Sequence, residues 1–122
     1  MTTRLDHCVK VTVPGTTDVN KEALDVQQTW VRRTLERLSR LFGGATAING
    51  QGGWMSETHG LIVEPVVIVY AYCDKAALEN YLADVIAYAR NMGCKMGQEC
   101  VAVEIDGILD LIDTGHSNHV AA

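Results

Sequence analysis

Basic residues are scarce in this chain. Ten Lys and Arg stand against 15 Asp and Glu, giving a formal net charge of −5 and a pI of about 5.2. A surface of that sign repels a polyanion unless cations are locally concentrated, so duplex nucleic acid is excluded as the expected partner. Long hydrophobic runs are also missing. The longest, Pro65 to Cys73, is too short to cross a bilayer, and Met1 to Asp6 lacks the apolar core of a signal peptide. The expectation is a cytoplasmic protein with no membrane contact. No CxxC spacing links Cys8, Cys73, Cys94 and Cys100. In a reducing compartment they read as small hydrophobes, and neither a structural metal nor a cofactor is expected.

What is present is the balance of a folded domain: 122 residues, 48% hydrophobic and 20% charged. We expect one domain over 1–113 and a polar tail over 114–122. Leu5, His7, Val9, Val11 and Val13 alternate as in a half-buried strand that stops at Pro14-Gly15, and Thr16-Thr17-Asp18 offers turn and cap chemistry. The segment from about Lys21 to Phe42 reads as a helix with Leu24, Gln28, Val31, Leu35, Leu38 and Phe42 toward the core. Trp30, Arg33, Arg37 and Arg40 then lie elsewhere on its circumference, and Gly43-Gly44 stops it.

A glycine-rich bridge follows. Ala45 to Asn49 predicts a short strand, Gly50-Gln51-Gly52-Gly53 a turn or bulge, and Trp54-Met55 a resumed strand. Glu57 to Gly60 reads as a hairpin tip. Leu61 to Tyr72 is a β-branched strand, with Pro65 expected near its start, at a bulge or at an edge. Asp74 caps a second helix, about Lys75 to Met92, which Gly93 ends. Cys100 to Ile105 alternates again, Asp106-Gly107 signals a two-residue hairpin, and Ile108 to Ile112 returns as an extra strand.

The order β-α-β-β-α-β with an added strand predicts an α+β, ferredoxin-like fold in which two helices cover one face of an antiparallel sheet. Val66, Ile68, Tyr70 and Tyr72 alternate with Val67, Val69 and Ala71, so this strand is apolar on both faces. One layer of helices covers only one of them, which predicts a homo-oligomer.

Several residues carry a resemblance: Phe42-Gly43-Gly44-Ala45-Thr46, Gly52-Gly53-Trp54, Gly60, Glu64-Pro65, and Gln98-Glu99 before Val101. Over roughly residues 40 to 105 this pattern resembles an uncharacterised ferredoxin-like family of short bacterial and phage proteins. By size, acidity and expected oligomerisation the chain is also similar to phage counter-defence proteins that sequester cyclic nucleotide signals. That resemblance implies a non-enzymatic binder.

The candidate chemistry divides in two. Arg33, Arg37 and Arg40 share one helix face and suit phosphate, although they equally suit a solvated face that complements the helix dipole, with a pair to Glu36. Gly52 and Gly53 would donate backbone N–H groups from an anion-binding nest, Trp54 would stack on a base, and Gln98 would reach the same ligand. No Gly-Lys-Ser/Thr follows, so the bridge is not a Walker loop, and its spacing is not that of a Rossmann turn. The leading expectation is therefore an oligomeric, non-enzymatic protein that binds a small anionic ligand such as a cyclic nucleotide. The alternative is a small cofactor-free enzyme using Glu64 or Glu99 as general base, and a third reading is a structural interaction module. No serine or cysteine stands in a nucleophile motif such as GxSxG. His116 and His119 form an i, i+3 pair in the polar tail, where disorder is the simpler reading.

Overall fold

A computed structural model describes residues 1–17, 21–22 and 24–115. Asp18, His116 and His119 lie outside the described residues. The elements are β1 (His7–Val13), β2 (Thr16–Thr17), β3 (Lys21–Glu22), α1 (Leu24–Phe42), β4 (Thr46–Ser56), β5 (Gly60–Cys73), α2 (Lys75–Lys95), β6 (Cys100–Ile105) and β7 (Ile108–Asp113). Five strands form one antiparallel sheet in the order β4-β5-β1-β6-β7, while β2 and β3 pair separately. Setting aside the two short strands, this is the ferredoxin-like arrangement with β7 added at one edge, as the element order predicts.

The core lies between the sheet and the two helices. From the sheet, Val9, Val11, Val13, Val67, Val69, Ala71, Val101 and Val103 face inward, against Trp30, Val31 and Leu38 of α1 and Val85, Ala89 and Met92 of α2. The alternating pattern of β1, β5 and β6 thus selects the face as expected. The contact face of α1 is rotated from the predicted one. Gln27, Trp30, Val31, Thr34 and Leu38 are buried, whereas Leu24 is exposed. Two polar residues occupy that face because each finds partners. The Gln27 amide donates to the carbonyls of Val13 and Pro65, and the Thr34 hydroxyl meets the Trp30 carbonyl and the Tyr88 hydroxyl. Counting apolar residues alone therefore placed the stripe too far round the helix.

The second helix begins as predicted, with the Asp74 carboxylate accepting from the Ala77 N–H at 2.8 Å. It does not end at Gly93. Gly93 sits inside the helix, and glycine is required there because a Cβ would stand 2.5 Å from the Thr114 and Val101 side chains. The helix closes on Met96 and Gly97, the latter at φ 68°. The Gln98 N–H donates to the Gly93 carbonyl and the Gly97 N–H to that of Cys94, a Schellman closure that turns the chain sharply toward β6.

The largest departure is in the glycine bridge. Residues 46–56 are one unbroken strand paired with β5 from Thr46↔Tyr70 to Ser56↔Gly60, with no turn or bulge at 50–53. Pro65 is tolerated mid-strand because β1 pairs with β5 only as far as Val13↔Val67. The Pro65 carbonyl points to that vacated side, where Gln27 donates to it, so the missing proline N–H deprives no ladder partner.

Candidate functional site

Register assigns side chains to faces. Opposed residues in an antiparallel pair share a face, so Ile48, Gly50, Gly52 and Trp54 lie with Ile68, Val66, Glu64 and Ile62 on the side away from the helices. Thr12, Lys10 and Cys8 of β1 and Glu104, Ala102 and Cys100 of β6 continue that outer face. Gly50 and Gly52 carry no side chains there. A Cβ at Gly52 would touch Val66 and Glu64, so glycine leaves open floor beside the Glu64 side chain.

A depression of about 360 Å³ is lined by Thr16, Trp54, Glu64, Gln98, Glu99 and Cys100. Three routes of chain bring these residues together. Glu64 and Trp54 arrive on the β4–β5 hairpin, half-buried and 45% exposed respectively. Gln98 and Glu99 are delivered by the Schellman closure of α2. Thr16 arrives directly after β1, through Gly15, where a Cβ would stand 2.0 Å from the Pro65 carbonyl oxygen. Only glycine lets the two backbones approach so closely.

Hydrogen bonds fix the polar groups. The Thr16 hydroxyl donates to Glu64 Oε2 at 2.9 Å. Gln98 Nε2 donates to the Thr16 carbonyl at 2.7 Å and to the Met96 carbonyl at 3.3 Å. Thr114, which the sequence assigns to the tail, is buried and bonds through its hydroxyl to the carbonyls of Gln98 and Glu99. The Thr114 N–H also donates to the Glu99 carbonyl at 3.0 Å. The depression thus holds two carboxylates, an amide, a hydroxyl, a thiol and an indole face. That set suits acid–base work or the binding of a cationic group beside an apolar wall.

The predicted site residues do not form one cluster. Trp54 and Gln98 are in the depression, and Gly52 lies beside it; Gly53 pairs with Val63 on the opposite face of β4. Neither Gly52 nor Gly53 has a positive φ, and both sit in a continuous ladder. Successive N–H groups therefore alternate between the two sides of the strand, and the expected nest is absent there. Arg33, Arg37 and Arg40 line a separate groove of about 270 Å³ between the helices, with Trp30 and Tyr88. Arg33 stacks over Trp30 at 4.8 Å and Arg37 over Tyr88 at 5.1 Å, while Arg40 pairs with Glu36 at 2.5 Å. The arginine groove lies on the helix side, whereas Gly50, Gly52 and Trp54 face the other side of the sheet. Glu64 and Glu99, the alternative pair, do meet at one depression. Thr16 and Cys100 also line the depression, and neither stands in a recognisable motif. The local signal for Thr16 is Gly15, which marks a close backbone approach as well as a strand end.

Elsewhere, burial pushes the Cys8 and Cys73 thiols up, which disfavours a reactive thiolate at either. Among the described residues no group of His, Cys, Asp and Glu is arranged to hold a metal, and no helix is long and apolar enough to cross a membrane.

No family model and no curated protein matches this sequence. The fold matches solved structures. One is a phage SAM lyase in complex with S-methyl-5′-thioadenosine, 21% identical, with a TM-score of 0.66 over 91% of this chain and 92% of that one. Another is a phage SAM lyase in its apo state, 23% identical, with a TM-score of 0.62 over the same shares. These findings correct the leading expectation. Both of these structures are of SAM lyases, which are enzymes, and the two halves of the supposed nucleotide site lie apart. Non-enzymatic sequestration of a cyclic nucleotide is therefore set aside, and with it the reading of the chain as a non-enzyme.

Proposed function

We propose that this protein is a phage enzyme that cleaves S-adenosylmethionine and releases S-methyl-5′-thioadenosine. The observation that carries the reading is the convergence of Glu64, Glu99 and Trp54 on one depression of a fold shared with SAM lyases. SAM carries a sulfonium cation. Carboxylates attract it, and an indole face suits both a cation and a flat purine. Cleavage breaks the bond between sulfur and the γ-carbon of the amino-acid arm. The bonding pair goes to sulfur, which leaves as a neutral thioether in S-methyl-5′-thioadenosine. The four-carbon remainder is completed either by loss of a proton to Glu64 or Glu99 or by closure through the substrate's own carboxylate. Mass analysis of the second product separates the two.

The protein acts as a homo-oligomer in this reading. Ile48, Trp54, Tyr72, Leu109 and Leu111 are exposed on the uncovered sheet face, and a second copy would cover them and roof the depression. Consumption of SAM withdraws a methyl donor from the host, so a counter-defence role is served by catalysis in place of sequestration.

Wild-type protein incubated with SAM should release S-methyl-5′-thioadenosine, read by chromatography. Glu64→Gln should lower kcat by about 10²–10⁴-fold while leaving the melting temperature within a few degrees. An unchanged kcat in Glu64→Gln would overturn the role given to Glu64, and an unchanged kcat in Glu99→Gln as well would overturn any role for the carboxylates.

A further inference from the structure

Glu64 belongs to the depression, but its orientation is set from outside the β4–β5 hairpin. Thr16 is 5% exposed, and its hydroxyl has a single proton, which goes to Glu64 Oε2. The other carboxylate oxygen, Oε1, has no protein partner among the described residues. Thr16 itself has little freedom. Gly15 packs its backbone against Pro65, one residue from Glu64, and the Thr16 carbonyl is tied to the Gln98 amide at 2.7 Å. Gln98 is fixed in turn by the helix closure through its N–H and by the Thr114 hydroxyl at its carbonyl. A chain of contacts thus runs from the end of α2 through Gln98 and Thr16 to one oxygen of Glu64.

We propose that Thr16 is a positioning residue that holds Glu64 Oε2, anchored by Gln98, so that Oε1 is presented to the substrate. The hydroxyl restricts the carboxylate to one rotamer before substrate arrives, and such pre-orientation acts on the reacting geometry more than on ground-state binding. The inference rests on the SAM-cleaving reading.

The test compares wild type, Thr16→Val and Thr16→Ser for kcat and KM with SAM, and for S-methyl-5′-thioadenosine affinity by calorimetry. Thr16→Val keeps the shape and removes the proton. It should lower kcat about 10–100-fold with KM and product affinity within threefold of wild type. Thr16→Ser should restore most of the loss, which a purely packing role for the methyl group would not allow. If Thr16→Val does not fold, Thr16→Ala removes the same proton and takes its place. A Thr16→Val or Thr16→Ala kcat within twofold of wild type overturns the positioning role while leaving the SAM reading standing. A wild-type protein that leaves SAM intact overturns both.

Discussion

The two faces of the five-stranded sheet differ in almost every respect. The inner face is closed under α1 and α2 and built from small branched residues, with Val9, Val11 and Val69 fully buried. Among the described residues nothing covers the outer face, which carries Trp54, Glu64 and a row of exposed hydrophobics. One face specifies the fold, and the other is where the proposed site lies. Alternation along a strand makes this division possible, because each strand contributes to both faces without compromise.

Crossed substitutions would break that comparison most sharply. Leu38→Ala, at a fully buried core position, should cost about 2–5 kcal/mol in a denaturant titration and leave kcat per folded molecule unchanged. Glu64→Gln should do the reverse. A core substitution that altered turnover in the folded fraction would show the two faces to be coupled. A smaller effect is expected at Trp54. Trp54→Ala should weaken S-methyl-5′-thioadenosine by about 1–3 kcal/mol, measured calorimetrically, if the ring stacks on the base. An affinity equal to wild type would remove the stacking role given to Trp54.

The smallest effect concerns the link between β1 and the β6–β7 turn. His7 Nδ1 lies 2.6 Å from Asp106 Oδ2, and the Cys8 N–H donates to Asp106 Oδ1. The hydrogen bond to Asp106 raises the His7 pKa, and bonds from His7 and Cys8 lower that of Asp106. For a raised histidine, the stabilisation is complete below the ordinary pKa of about 6.5 and fades as pH climbs through the raised value. For a lowered aspartate, it is present above the ordinary carboxylate range and is lost on acidification. The pair therefore contributes most in the mildly acidic window between. Asp106 has φ 52°, a conformation that asparagine also tolerates, so Asp106→Asn removes the charge without straining the turn. Melting temperature followed from about pH 6 to 8.5 should decline less in Asp106→Asn than in wild type. Parallel curves would show that the pair does not govern this dependence.

Much of the architecture was legible from periodicity. Strand alternation, the Asp74 cap and the Asp106-Gly107 turn each rest on local chemistry, and each appears where that chemistry puts it. The site was legible only in pieces. Glu64, Glu99, Trp54 and Gln98 stand out in the sequence but divide between rival readings, because spacing along a chain does not report which strand ends meet. The glycines misled for a related reason. Glycine is permitted in a turn and required at a close approach, and the two cannot be told apart without the neighbour. Gly15 and Gly93 are of the second kind, set against Pro65 and against Thr114 with Val101, and Gly52 simply clears space beside Glu64. Polar core residues gave the other error. Gln27 and Thr34 are buried only because backbone carbonyls and Tyr88 lie opposite them, information that α1 does not contain.

The most direct measurement is SAM turnover by the purified wild-type protein beside Glu64→Gln, followed by chromatography of the adenosine-containing products. Wild type should yield S-methyl-5′-thioadenosine, and the variant should remain folded and lose at least about 10²-fold in rate. SAM recovered intact from the wild-type protein, or equal product from both, would contradict this.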